Sequence, residues 1–162
     1  MSVRALAVLA TALGLAGAAA GRQHPDLSGD YKFDRAASEA ASHGQDLAGW
    51  GRAVSHIEQR GGTFTVRTTT YRDVQPDTET VTVPTDGRAV AGAGGARPTT
   101  LSAAWSGDTL VITIRVLATD DHSVYTVRLS LQDGGRTLWM QRTESREEGT
   151  PREVVFVWRR VG

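Results

Sequence analysis

The 162-residue chain contains no cysteine. That excludes a disulfide framework, a thiolate metal centre, a thiol nucleophile and haem attachment through a Cys-x-x-Cys-His motif. Stability must come from packing and backbone pairing alone. Asparagine is also absent, so the chain offers no N-glycosylation acceptor, and Lys32 is its single lysine. Charge of one sign is missing too: 18 basic residues face 18 acidic ones. A neutral chain presents no field for polyanions, and nucleic acid is set aside as a partner on that ground. A run fit to span a bilayer is lacking as well. The longest apolar stretch, Ala5 to Ala20, is rich in alanine and glycine and falls short of the roughly 20 strongly apolar residues a span needs.

That stretch follows Arg4 and ends with Ala18 and Ala20 in a small-x-small arrangement, the pattern of a secretory signal. Residues 1–20 are therefore expected to be a signal peptide cleaved after Ala20. Residues 21–162 would then form one domain. No cysteine follows the apolar stretch, so no lipid anchor is expected, and no membrane anchor survives cleavage. The excess of alanine, glycine and arginine points to a GC-rich bacterial genome. The expected location is the periplasm or the cell exterior.

Leu27 to Asp34 opens the domain with Tyr31 and Phe33 alternating with charged neighbours, as a strand should. Asp34 is placed to cap a short helix over Arg35 to Ser42, rich in alanine and stopped by Gly44. A second short turn fits Leu47 to Trp50. From Arg52 onward the hydrophobic period becomes two. A two-residue turn at Gly61 and Gly62 sets Ile57 opposite Val66, Gln59 opposite Phe64 and Ser55 opposite Thr68, with His56, Glu58, Thr65 and Arg67 on the wet face. Asp86 and Gly87 suggest the next hairpin, pairing Val83 with Val90. A glycine- and alanine-rich connection follows, Ala91 to Pro98.

The later hairpins carry the strongest alternation. Leu101, Ala103 and Trp105 lead into a turn at Ser106 to Asp108, and Leu110, Ile112, Ile114 and Val116 lead out. Centred on Ser106 and Gly107 or on Gly107 and Asp108, the turn puts the same apolar sets on one face. Tyr125, Val127, Leu129 and Leu131 precede Asp133 to Gly135, after which Leu138, Met140 and an inward Arg142 continue the face. The last strand, Glu153 to Val161, is apolar on both sides, with Val155, Val157 and Val161 on one and Val154, Phe156 and Trp158 on the other. It should be buried on two sides or meet another body. Some eight to ten strands joined by tight turns, with no crossover helix, predict an all-β, antiparallel up-and-down meander. Closure into a barrel would remove its exposed edges. Most of the turns are too short for the arches of a Greek-key sandwich.

Three segments carry a family likeness. Leu27 to Asp34, reading Leu-Ser-Gly-Asp-Tyr-Lys-Phe-Asp, resembles the opening strand of bacterial secreted lipocalin-like domain proteins. Trp105 to Ile112 and Leu131 to Thr143 resemble two of their hairpins. The resemblance implies a barrel of eight or ten strands whose interior holds one apolar ligand. It also implies packing of an early aromatic, here Tyr31, against a late arginine, Arg142 or Arg160. The arginine-x-tyrosine pair that clamps a carboxylate in fatty-acid-binding proteins falls on Phe156 and Trp158, so that clamp is not expected.

The inward set comprises Phe64, Val66, Val83, Trp105, Leu110, Ile112, Ile114, Tyr125, Val127, Leu129 and Met140. It lines a pocket if the barrel is hollow and forms a core if it is filled. Alternation alone is blind to the difference. The candidate ligand-binding residues are Gln59, Phe64, Val66, Trp105, Ile112, Tyr125, Met140 and Arg142, with Gln59, Tyr125 and Arg142 orienting a guest. The four histidines and the serines form no nucleophile-elbow pattern, and no catalytic residue is assigned. His122 with Asp120 and Asp121, or His24 with Asp26, lacks the spacing of a metal motif and reads as turn chemistry. No metal or cofactor is expected. The two functional readings are a non-enzymatic carrier of a small hydrophobic molecule, and a protein-interaction or envelope-structural module with a filled core.

Overall fold

The computed structural model describes residues 23–45, 47, 50–72, 75–92, 97–118, 122–146 and 149–162. The expected signal segment 1–20, together with Asp120 and Asp121, lies outside them. Ten strands and one short helix follow in the order β1 (Gly29–Asp34), α1 (Arg35–Ala41), β2 (Arg52–Arg60), β3 (Thr63–Arg72), β4 (Gln75–Pro84) and β5 (Val90–Ala91). Then come β6 (Thr99–Ser106), β7 (Thr109–Val116), β8 (Val124–Gln132), β9 (Thr137–Ser145) and β10 (Arg152–Val161). They form one antiparallel sheet in the order β4-β3-β2-β1-β10-β9-β8-β7-β6-β5. The first strand pairs with the last, Phe33 opposite Trp158, so the meander curls into a barrel.

The register follows the turn chemistry. Gly61 and Gly62 both adopt positive φ, as the two-residue loops of hairpins require, and Ile57, Gln59 and Ser55 face Val66, Phe64 and Thr68. Gly107 and Asp108 make the β6–β7 turn, with Ser106 opposite Thr109 and Trp105 opposite Leu110. Asp133 to Gly135 form a 3-10 turn between Gln132 and Thr137.

The expected pairing of Val83 with Val90 does not form. Val83 pairs with Phe64 and Val90 with Leu101. Asp86 and Gly87 do turn the chain, and Asp86 Oδ1 accepts from the Arg88 amide at 3.0 Å. The flanking backbone is claimed elsewhere, however. Thr85 N–H donates to the Gly62 carbonyl and Gly87 N–H to the Ala103 carbonyl, each at 2.8 Å, and Asp86 forms an isolated bridge with Ala104. Closure is therefore incomplete: a seam runs between β4 and β5, the two ends of the strand order. Pro76, Asp77 and Glu79 sit exposed on β4, residue types that discourage a further strand from pairing.

Asp34 caps α1, its Oδ1 accepting from the Ala37 amide at 3.0 Å. The helix lies on β10 and covers Val155 and Val157, while Phe156 and Trp158 point into the core. From Val155 to Trp158 the doubly apolar last strand is thus buried on both sides, its outer partner being the chain's own helix, whereas Val161 beyond the helix stays exposed. Among the described residues no helix is long and apolar enough to cross a membrane.

The two barrel ends differ. One carries the turns at Gly61–Gly62, Gly107–Asp108 and Asp133–Gly135, and here the interior is solid. Leu27, Tyr31, Phe64, Val83, Leu110, Leu129, Leu138 and Trp158 are all within 1 % of full burial. The lead segment ahead of β1 seals this base. Leu27 inserts, the Tyr31 hydroxyl donates to the Leu27 carbonyl at 2.9 Å, and Arg160 Nη2 donates to that hydroxyl at 2.7 Å. The late arginine that packs on Tyr31 is therefore Arg160. Arg142 lies elsewhere.

Candidate functional site

Toward the opposite end, the mouth, the interior opens into a cavity of about 400 Å³. Each strand contributes every second residue, so the wall is built by parity and the depth by position along the strand. Ile57, Phe64, Val66, Ile112, Leu129, Met140 and Phe156 form its deeper wall, with Val81, Ile114 and Val127 around it. Thr68, Glu79, Tyr125 and Arg142 are its polar members. Glu79 is exposed, which marks the side where the cavity meets solvent.

Arg142 is the one cation on this wall. Its guanidinium carbon lies 4.5 Å from the centroid of the Tyr125 ring. The two residues sit on neighbouring strands, Val127 opposite Arg142 and Tyr125 opposite Glu144, so they meet on the diagonal across one face. The aromatic face attracts the cation without occupying its N–H donors. Among the described residues Arg142 makes no ion pair. A half-buried guanidinium with unused donors, set in an apolar wall, is equipped to orient a polar group on a guest.

Of the candidate residues, Phe64, Val66, Ile112, Tyr125, Met140 and Arg142 come together on the cavity wall. Gln59 and Trp105 do not. Both have the inward parity expected of them, but both lie at the sealed base. Gln59 Oε1 accepts from the Leu27 amide at 3.2 Å, and the Gln59 backbone N–H donates to Ser28 Oγ at 2.9 Å. Trp105 stacks on His24 at 4.6 Å and 4°, and His24 Nδ1 donates to the Gly107 carbonyl at 3.2 Å. The lead segment takes up the Gln59 side-chain oxygen and the face of the Trp105 ring. Val83 and Leu110 are core at the same depth.

Val81 and Glu79 are wall residues that alternation from Val83 would reach, and Trp50 is one that it would not. Trp50 precedes the first period-two run, in the turn where its N–H donates to the Leu47 carbonyl at 2.9 Å. Its ring meets Phe156 at 4.3 Å and Phe33 at 6.2 Å. Gly51 beside it has φ +54°, and a Cβ there would stand 2.7 Å from the Tyr71 carbonyl oxygen. Only glycine allows the chain to turn Trp50 inward at this point. An aromatic followed by glycine just before a strand was the available signal.

His56 lies on the outer surface, 2.8 Å from Asp30, away from the cavity. Asp26 accepts from Ser28, and hydrogen bonds from Ser28 hold its carboxyl below the usual range, with Arg160 adding to the effect. His24 and Asp26 are thus both engaged in closing the base. Among the described residues no three His, Asp or Glu side chains gather as metal ligands would.

No protein-family model matches the chain, and no curated protein matches it. Solved structures do. Secretory abundant heat soluble protein 4 from Ramazzottius varieornatus superposes with a TM-score of 0.59 at 10% identity, over 87% of this chain and 99% of that one. The fatty-acid-binding protein isolated from Manduca sexta gives 0.54 at 14% identity, over 83% and 99%. Human cRBP IV gives 0.53 at 17% identity, over 85% and 99%. At such identities the likeness is one of fold, the lipocalin and fatty-acid-binding-protein type of barrel.

Proposed function

We propose that this protein is an exported, non-enzymatic carrier that holds one small hydrophobic molecule non-covalently in its barrel. The observation that carries the reading is the cavity of about 400 Å³, a size within the roughly 300–1,000 Å³ of small-molecule sites. Its wall is mostly apolar, with one cation, Arg142, and one carboxylate, Glu79, the latter exposed. In this reading Phe64, Val66, Ile112 and Met140 enclose the apolar body of the guest, and Tyr125 with Arg142 orients its polar end. The shared fold with a protein named for fatty-acid binding points the same way. Export is supported by Arg4 and the apolar run that ends in Ala18 and Ala20. The composition supports a bacterial source, and the periplasm or cell exterior is the place of action.

The alternative, an interaction module with a filled core, called for solid packing and a free apolar face on the last strand. The cavity argues against the first and the cover of α1 against the second. Native mass spectrometry of protein purified from its own host tests the carrier reading. The expected result is a bound hydrophobic small molecule. A clean apo mass, with no thermal shift across a panel of lipids and apolar dyes, overturns it.

A further inference from the structure

The apolar cavity adjoins a second chamber of about 270 Å³ at the mouth. The two share Trp50, Arg142 and Phe156, so Arg142 stands at their boundary, and the second chamber adds Glu144 and Arg152. Among the described residues its lining carries two cations, Arg142 and Arg152, against one anion, Glu144. Glu144 is already engaged by Arg146, whose Nε and Nη2 both lie 2.7 Å from Oε1. Arg142 and Arg152 make no ion pair among the described residues. Arginine stays charged at any ordinary pH, and two guanidinium groups without an ion-pair partner among the described residues, Arg152 exposed at the rim, suit an anion with several oxygens.

Size then separates the anions. A bare carboxylate reaching out of the apolar cavity would engage Arg142 and leave most of the outer chamber, with Arg152, unused. A phosphate ester carrying a short polyol could lie between both arginines and offer hydroxyls to Glu144. We propose that the ligand is a single-chain amphiphile with a phosphate-bearing headgroup, its chain in the apolar cavity and its phosphate between Arg142 and Arg152. The proposal rests on the carrier reading and narrows it.

Three probes with the same sixteen-carbon chain decide it: palmitate, monopalmitoylglycerol and palmitoyl lysophosphatidate. Each is titrated by calorimetry into the lipid-free full chain below its critical micelle concentration. Lysophosphatidate should bind about tenfold or more tighter than either of the others, the scale of one added charge-assisted contact. Arg152→Gln should weaken lysophosphatidate several-fold and leave palmitate unchanged. Arg142→Gln should weaken both anions and spare monopalmitoylglycerol, whose binding also reports that each variant is folded. Palmitate binding as tightly as lysophosphatidate overturns the proposal, as does an Arg152→Gln protein with unaltered lysophosphatidate affinity. If neutral apolar probes bind and lysophosphatidate does not, this inference falls and the carrier reading stands. If nothing apolar binds, both fall.

Discussion

Val155 meets Ser42 twice: its amide donates to Ser42 Oγ at 2.9 Å, and its carbonyl accepts from the same hydroxyl at 3.0 Å. One turn earlier in α1, Ser38 Oγ accepts from the Val157 amide at 2.8 Å and donates to the Asp34 carbonyl at 2.6 Å. Strand β1 ends at Asp34, opposite Val157, and beyond that point β10 has no strand on this side. Two serines four residues apart share one helix face, and they take over as backbone partners. Both are buried.

Removal of that hydroxyl leaves a buried amide and carbonyl without partners. Ser42→Ala is expected to destabilise the protein by about 1–3 kcal/mol, read by urea denaturation. The exposed Ser106→Ala should change stability by less than about 0.5 kcal/mol. Equal effects at the two positions would contradict the role given to Ser42.

Asp34 links helix cap and sheet. The Ala37 amide, and after it Arg159, hold its carboxyl below the usual range. A depressed folded value means the group contributes stability above its unfolded pKa, about 3.9, and loses it as pH falls through the folded value. Asp34→Ala should therefore cost about 1 kcal/mol near pH 7. The gap between wild type and variant should narrow steadily below about pH 4, as followed by denaturation at a series of pH values. A gap that stays constant into acid would count against the assignment.

Gln59 is tied to the lead segment at the base of the barrel through the Leu27 amide. Gln59→Leu strands the Leu27 amide and should lower stability by about 1–3 kcal/mol, while the affinity for a bound apolar dye stays at the wild-type value. A loss of affinity without a loss of stability would return Gln59 to the binding site.

Val66 lines the cavity and is only partly buried. Val66→Trp should fill the space a ligand needs, abolishing dye and lipid binding while the far-ultraviolet circular dichroism remains that of a β-protein. Retained binding in a folded variant would place the guest elsewhere.

Much of the cavity wall was legible in the sequence. Parity placed Phe64, Val66, Ile112, Tyr125, Met140 and Arg142 on one inner face, since side chains on a strand must alternate. Parity could not tell those residues from Gln59 and Trp105, because inward pointing is a local property and depth along the barrel axis is not. Which end is plugged depends on where Leu27 and His24 come to rest, some 30 to 80 residues from their partners in sequence. The expected Val83–Val90 pair failed for a related reason. The turn formed, but Gly62 and Ala103 competed for the backbone on either side of it.

The sequence by itself determined the period-two face from Arg52 onward, the antiparallel meander and the inward arginine, all of which follow from local geometry and turn chemistry. Only the tertiary structure decided that the barrel is hollow at one end and solid at the other, that α1 covers β10, and that Arg142 reaches Tyr125 while Arg160 reaches Tyr31. Those outcomes depend on how distant segments share volume and hydrogen-bond partners, and a one-dimensional pattern of side-chain direction carries no such information.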